Sequence, residues 1–239
     1  MSNIQNCKIG IIGANGKTGT LLISKLLNLK ELENKKNIVA FIRNKEAFIK
    51  NIGLVDVEKI TTRLYDLEID DVESLASKCK DIDILVFLAG AGRQGKQRLF
   101  SVDLDGVFKC VEVCERLGTV QRFIAVSVLK VEDRKFWWNI EGLRGYFIAK
   151  KAADHEIQRS HLNYTILHPG WLGMSKGTGK ICAIDKVAGT LVHSNNYLER
   201  EDLAEVIVAC MLNPNATSRQ VIPLINGDLP IVDAINDIH

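Results

Sequence analysis

Tyr146 and Lys150 stand four residues apart in a stretch, Tyr146 to Gln158, whose spacing predicts a helix, so both side chains project from one face. A lysine ammonium within several ångström stabilises a tyrosinate and lowers a phenol pKa from about 10 towards the working pH. A tyrosine in that state can exchange a proton with a carbonyl or hydroxyl. The same lysine can hold ribose hydroxyls. Ser127, at the end of the predicted strand Arg122 to Ser127, is a hydroxyl one strand and one loop before this pair.

A second signal lies near the N-terminus, in Lys8 to Gly19, K-I-G-I-I-G-A-N-G-K-T-G. Ile9, Ile11 and Ile12 read as a buried parallel strand, and Leu21, Leu22, Leu26 and Leu27 recur at helical spacing. Between them Gly13, Gly16 and Gly19 let the backbone turn sharply, approach a pyrophosphate and pack the new helix on the strand. The helix N-terminus then offers N–H groups to an anion. Gly16-Lys17-Thr18 also resembles the end of a triphosphate-binding loop. That loop needs a glycine five positions earlier, where Ile11 stands, and Gly10 is one residue too early. The spacing therefore selects a dinucleotide.

The elements that position these groups alternate. Asn37 to Ile42 reads as a second parallel strand with Arg43-Asn44-Lys45 at its carboxyl end. An acidic residue there would hold the ribose 2′-hydroxyl of NAD, whereas Arg43 and Lys45 suit the 2′-phosphate of NADP. Lys59 to Leu64 is an edge-ward strand, followed by Asp66, placed for an adenine amino group, and by a helix from Asp70 or Asp71 through Ala76. Ile82 to Ala89 is the strongest strand and breaks into Gly90-Ala91-Gly92, whose small residues let the backbone pass a ribose. A helix from about Leu99 to Leu117, the strand to Ser127, an irregular segment 128–145, the Tyr146 helix and the strand Tyr164 to His168 follow. After Pro169-Gly170 come a looser stretch from Trp171 to Tyr197, a helix from Glu201 to Met211, a strand from Val221 to Ile225 and a short helix after Pro230. This alternation predicts an α/β fold, a doubly wound (Rossmann) parallel sheet with helices on both faces. It is expected to form a single domain over 1–239, with a small substrate-side region from about 128–145 and 171–200. Phe136, Trp137 and Trp138 either line a substrate pocket or plug the top of the sheet.

Bulk properties narrow the partners. The 239 residues are 46% hydrophobic and 25% charged, the composition of a globular domain. No apolar run reaches the roughly 18 residues needed to span a bilayer, and no secretion signal opens the chain. A net charge of +2 with interspersed signs gives no field for nucleic acid. The six cysteines show no metal spacing; Cys110 and Cys114 share a helix face but sit at core positions. The expectation is a cytoplasmic monomer or small homo-oligomer that takes a small-molecule substrate and binds no metal, membrane or nucleic acid.

G-A-N-G-K-T-G, F-I-R-N, Y-D-L, L-A-G-A-G, Y-F-I-A-K-K-A-A-D, Y-T-I-L-H-P-G, L-E-R-E-D-L-A-E-V and N-G-D-L-P-I occur in one order over nearly the whole chain. In this the sequence resembles the short-chain dehydrogenase/reductases, specifically their atypical, NAD(P)-binding, NmrA-like members. The resemblance implies that Gly13, Asn15, Gly16, Lys17 and Thr18 hold the pyrophosphate and that Arg43 and Asn44 hold the 2′-phosphate. Asp66 and Leu67 would border adenine, and Ala89, Gly90 and Ala91 would line the ribose. Lys150 would bind the nicotinamide ribose, His168, Pro169 and Gly170 would pass beside the nicotinamide, and Tyr146 would be the catalytic acid/base. Two features depart from the family. Val128 and Leu129 stand where the catalytic Ser or Thr usually lies, leaving Ser127, and Asp103 stands where many relatives have an active-site Asn. The implied activity is NADP(H)-linked reduction of a small carbonyl, quinone or flavin-like substrate. The alternative is a dinucleotide-sensing regulatory protein. A nucleotide-sugar epimerase or dehydratase is disfavoured, because such enzymes carry a substantial C-terminal substrate domain.

Overall fold

In the computed structural model, residues 4–92, 95–187 and 196–238 are described. The core is a seven-stranded sheet in the order β10-β6-β5-β4-β1-β2-β3. Its members are β1 (Ile9–Ile12), β2 (Ile38–Ile42), β3 (Thr61–Leu64), β4 (Ile84–Phe87), β5 (Arg122–Val126), β6 (Tyr164–Pro169) and β10 (Gln220–Leu224). Every neighbouring pair is parallel. All residues of β1, β2, β4 and β6 are buried, as strands covered on both faces require. The edge strand β3, T-T-R-L, is only partly covered.

Side chains of the central strands alternate between two cores. Ile9 and Ile11 of β1, with Ile84 and Val86 of β4, join one cluster. It is completed by Leu22 and Leu26 of α1 (Lys17–Asn28) and by Val206 and Ile207 of α9 (Arg200–Leu212). Ile12, Leu85 and Phe87 face the other. There they meet α4 (Val72–Cys79), α6 (Asp105–Leu117) and α8 (Arg144–Arg159) through Leu75, Val111 and Ile157. Two faces thus carry two helical layers, the doubly wound arrangement expected from the alternation.

Several boundaries differ from the periodicity. The third strand begins at Thr61, because Lys59 closes α3 (Leu54–Lys59), which follows α2 (Lys45–Ile52). The helix expected from Leu99 starts as a short turn, α5 (Lys96–Arg98), passes through a π-helical segment, Leu99–Leu104, and only then becomes α6. The segment 128–145 holds α7 (Arg134–Trp138), capped by Asp133. Beyond β6, β7 (Trp171–Gly173) pairs with β9 (Tyr197–Glu199), and β8 (Lys180–Ile181) pairs with β11 (Leu229–Pro230) ahead of α10 (Ile231–Asn236). Residues 188–195 of the expected substrate-side region, and Arg93 and Gln94 of the loop after β4, lie outside the described residues.

Candidate functional site

The turn after β1 has the geometry its glycines predict. Gly13 adopts φ +87°, and an added Cβ would lie 2.6 Å from the Ala89 nitrogen. At Gly19 a Cβ would lie 2.4 Å from the Gly13 carbonyl. Two adjacent strands and the start of α1 therefore meet at a distance only glycine permits. Gly16 donates its N–H to the Gly13 carbonyl at 2.9 Å. As the N-cap of α1 it brings no capping side chain. That helix end, whose N-cap Gly16 lines the cleft described next, is suited to an anion by its N–H groups and the positive end of its dipole.

The sheet order reverses between β1 and β4, and a cleft of about 500 Å³ opens there at the carboxyl ends of the strands. Such crevices are where open α/β sheets bind ligands. Gly13, Asn15 and Gly16 line it from the turn, Arg43 and Asn44 from the end of β2, Asp66 and Leu67 from the end of β3, and Ala89 and Gly90 from the end of β4. Asn15 is held by Asn51, whose Nδ2 donates to its Oδ1 at 2.7 Å. The Oδ1 of Asn44 caps α2 by accepting from the Ala47 N–H at 2.8 Å. Asp66 shapes the bend after β3, its Oδ1 accepting from the Glu68 N–H at 3.0 Å. Lys17 is exposed and Thr18 half-buried in the first turn of α1; neither lines the cleft.

The second group of residues gathers at the ends of β5 and β6, outside that cleft. Lys150 is buried, with Nζ 3.1 Å from Asp103 Oδ1 and donating to the Val126 carbonyl at 3.2 Å. Burial opposes its charge, but Asp103, Tyr146 and Asp154 outweigh that, and its pKa is raised. Asp103 lies in the π-helical turn and also accepts the Ala91 N–H at 2.7 Å. It thereby ties the backbone after Gly90 to the lysine. Ala91 is buried and committed to this bond, not to the cleft wall. One turn beyond Lys150, Asp154 accepts from Ser127 Oγ at 2.8 Å and lies 2.9 Å from His168 Nε2, both on its Oδ2. Pro169 is the last residue of β6, and the N–H of Gly170 bonds to the Leu224 carbonyl at 2.9 Å.

One expectation is corrected here. The lysine does not bring the Tyr146 phenol below its ordinary pKa. Burial raises its pKa, Lys150 acts in the opposite direction, and Asp103 and Asp154 add to the rise. The pull of Lys150 is limited by geometry: the ammonium is 6.0 Å from the ring centroid and bound to a carboxylate. The two tryptophans differ in environment, and neither lines the cleft. Trp137 is a plug, fully buried, stacked on Phe147 with centroids 5.7 Å apart and donating to the Val131 carbonyl. Trp138 is 41% exposed and carries Arg144 over its ring.

Sequence reasoning missed Asp154, Glu68 and Arg98. Asp154 was within reach, since Tyr146, Lys150 and Asp154 mark successive turns of one helix face. Glu68 and Arg98 meet only through tertiary contact, Arg98 Nε lying 2.9 Å from Glu68 Oε2 across 30 residues. Cys79, Cys110, Cys114 and Cys210 are buried, and desolvation raises each thiol pKa. Among the described residues no group of three or more His, Cys, Asp or Glu is placed to hold a metal.

A parallel sheet reversing at β1 and β4, a glycine turn and an open cleft at the reversal define a Rossmann protein of the dinucleotide-binding class. The chain belongs to the NAD(P)H-binding family, whose model matches residues 13–214. It is 43% identical to UPF0659 protein YMR090W of Saccharomyces cerevisiae over 234 residues, 97% of this chain and 98% of the other. A solved structure from Bacillus halodurans, provisionally described as an NAD-dependent epimerase/dehydratase, is 31% identical with a TM-score of 0.80 over 97% of this chain and 99% of that one. A short-chain dehydrogenase/reductase from Veillonella parvula, solved with NADP, shares the fold at 18% identity and TM-score 0.70, over 93% of this chain and 95% of that one.

Proposed function

We propose that the chain is an NADP(H)-dependent oxidoreductase of the short-chain dehydrogenase/reductase type, acting on a small carbonyl, quinone or flavin-like substrate. The choice of NADP rests on Arg43, which lines the cleft at the end of β2, where NAD would call for an acidic residue. The NADP in the Veillonella parvula protein agrees with that choice. Gly13, Asn15 and Gly16, with the N–H groups of Lys17 and Thr18, would hold the pyrophosphate. Asp66 and Leu67 would border the adenine, and Ala89 and Gly90 the ribose.

The observation that carries the chemistry is the face of α8 that presents Tyr146 and Lys150 against Asp103. A bound reduced nicotinamide would supply the hydride for the carbonyl carbon. The carbonyl π bond breaks as its oxygen takes a proton from the Tyr146 hydroxyl. A phenol with a raised pKa is protonated at neutral pH, the form that a reductase needs in its acid. Lys150, kept charged by Asp103, would hold ribose hydroxyls and stabilise the tyrosinate left behind. His168, Pro169 and Gly170 would pass beside the nicotinamide, and Ser127 would support the site through Asp154. The segments 128–145 and 171–200 would form the substrate side of this single domain, and the cytoplasm is the compartment proposed.

A second reading, a dinucleotide sensor, is favoured by one observation. Ser127 is hydrogen-bonded to Asp154, and Val128 and Leu129 follow it where a second hydroxyl would stand. An epimerase reading takes its support from the description of the Bacillus halodurans protein, which is covered almost end to end, so chain length does not disfavour it. A screen of NADPH oxidation over carbonyl, quinone and flavin substrates separates these readings. For a reductase, Tyr146→Phe leaves NADPH affinity unchanged and lowers turnover about a hundredfold, the scale of losing a general acid. NADPH binding without turnover of any substrate selects the sensor. Interconversion of nucleotide sugars without net cofactor oxidation selects the epimerase.

A further inference from the structure

Glu68 lies just beyond the two residues assigned to adenine, and it holds two arginines on one oxygen. Arg43 Nη1 is 3.4 Å and Arg98 Nε 2.9 Å from Glu68 Oε2, while Ser101 Oγ donates to Oε1 at 3.2 Å. Arg43, Glu68 and Arg98 all line the cleft at the β1–β4 reversal. They come from three separate places: the end of β2, the bend after β3, and α5 beyond the loop that follows β4. Two guanidinium groups against one carboxylate make a cluster of net charge +1, which Asp66 balances in the lining of the cleft as a whole.

We propose that Arg98 is the second arm of an adenosine 2′-phosphate clamp, with Arg43 the first and Glu68 the carboxylate that holds both in register until the phosphate arrives. This rests on the NADP(H) reading above. A phosphomonoester carries a charge of about −1.5 to −2 with three acceptor oxygens, which suits two planar donor forks and not one. The ion pairs themselves do not explain the arrangement. The Arg43 side chain is 56% exposed, and an exposed pair of that kind contributes little to stability. Glu68 has a double effect. It orders the guanidinium groups beforehand, and its own charge opposes the incoming phosphate. Arg98 also lies on the chain segment that continues from Ala89 and Gly90, so its engagement would couple the ribose wall to the phosphate.

The test is a fluorescence titration of wild type, Arg98→Ala, Arg98→Lys and Glu68→Gln with NADPH and NADH, repeated by competition with adenosine 2′,5′-bisphosphate and 5′-AMP. The clamp predicts that Arg98→Ala weakens NADPH and the bisphosphate about tenfold or more, the scale of one charge-assisted hydrogen bond. NADH and 5′-AMP should change less than about twofold, and Arg98→Lys should fall between. Glu68→Gln should leave NADPH binding equal or tighter. Equal weakening of both cofactors by Arg98→Ala would make the residue a scaffold of α5 and overturn the clamp, as would no effect on either. If Glu68→Gln weakens NADH alone, the carboxylate holds a 2′-hydroxyl, and the clamp is again overturned. A wild type that prefers NADPH while Arg98→Ala is silent removes the clamp and leaves the cofactor reading standing. A wild type that prefers NADH removes both.

Discussion

The two halves of the sheet treat their polar groups in opposite ways. On the β1–β2–β3–β4 side the groups assigned to the cofactor border an open cleft, and the backbone places most of them: a glycine turn, helix N-terminal N–H groups and strand ends. On the β5–β6 side the reactive side chains are buried and bound to one another, Lys150 to Asp103 and both Ser127 and His168 to Asp154. A site built from backbone needs only that the chain fold. A site built from buried charges needs in addition that every charge keep its partner, because an uncompensated ion in the interior is costly.

The largest effect expected from breaking the open half is at the turn. In Gly19→Ala the new methyl meets the Gly13 carbonyl, so the turn must open and the pyrophosphate loses N–H donors. Losing two charge-assisted bonds weakens cofactor binding by roughly a hundredfold or more. Isothermal titration with NADPH measures it, and circular dichroism verifies that the sheet persists.

The buried half should fail in stability first. Asp103→Asn leaves Lys150 with the Val126 carbonyl and only the longer-range charge of Asp154, at a cost of about 3 kcal/mol. The pH dependence gives the sign. In the wild type the folded pKa of Lys150 lies above its ordinary 10.5, so its contribution is full below that value and is lost as pH rises through the folded pKa. In Asp103→Asn burial dominates and the folded pKa falls below 10.5. The variant should therefore recover stability as pH rises towards 10.5, where wild type shows no gain. Urea denaturation at pH 7 and pH 9.5 reads the difference, and parallel curves for the two proteins would sink the assignment of Asp103 as the counter-charge.

Smallest is the support of Asn15. Asn51→Ala removes a neutral hydrogen bond to the Asn15 side chain and a longer one to its carbonyl, together worth about 1 kcal/mol, and should weaken NADPH binding by no more than about fivefold. A larger loss would mean that the open half depends on side-chain order as the buried half does.

This contrast also decides what could be read without coordinates. β1, β2, β4 and β6 were legible because parallel strands buried on both faces leave unbroken apolar runs. The glycine turn was legible because its constraint is local. Tyr146 and Lys150 were found through helical spacing, and the same spacing reaches Asp154. The direction of the Tyr146 shift was not, since it depends first on burial and then on Asp103, which reaches the lysine from the π-helical turn more than forty residues earlier in the chain. α2 and α3 were missed because the segment Lys45 to Lys59 shows no long apolar stripe. Glu68 and Arg98 carry no motif and meet only when α5 folds over the end of β3. Trp137 and Trp138 are adjacent in sequence yet have opposite environments, which the packing of α7 against α8 decides.

The most direct measurement is the titration of the wild-type protein with NADPH and NADH side by side, with Arg43→Ala as the control. An arginine at the end of β2 predicts that NADPH binds more tightly by about 1 to 3 kcal/mol, roughly tenfold to a hundredfold, and that Arg43→Ala cuts the preference by about tenfold without weakening NADH. Equal affinities, or tighter NADH, would contradict the assignment of the cleft to NADP(H).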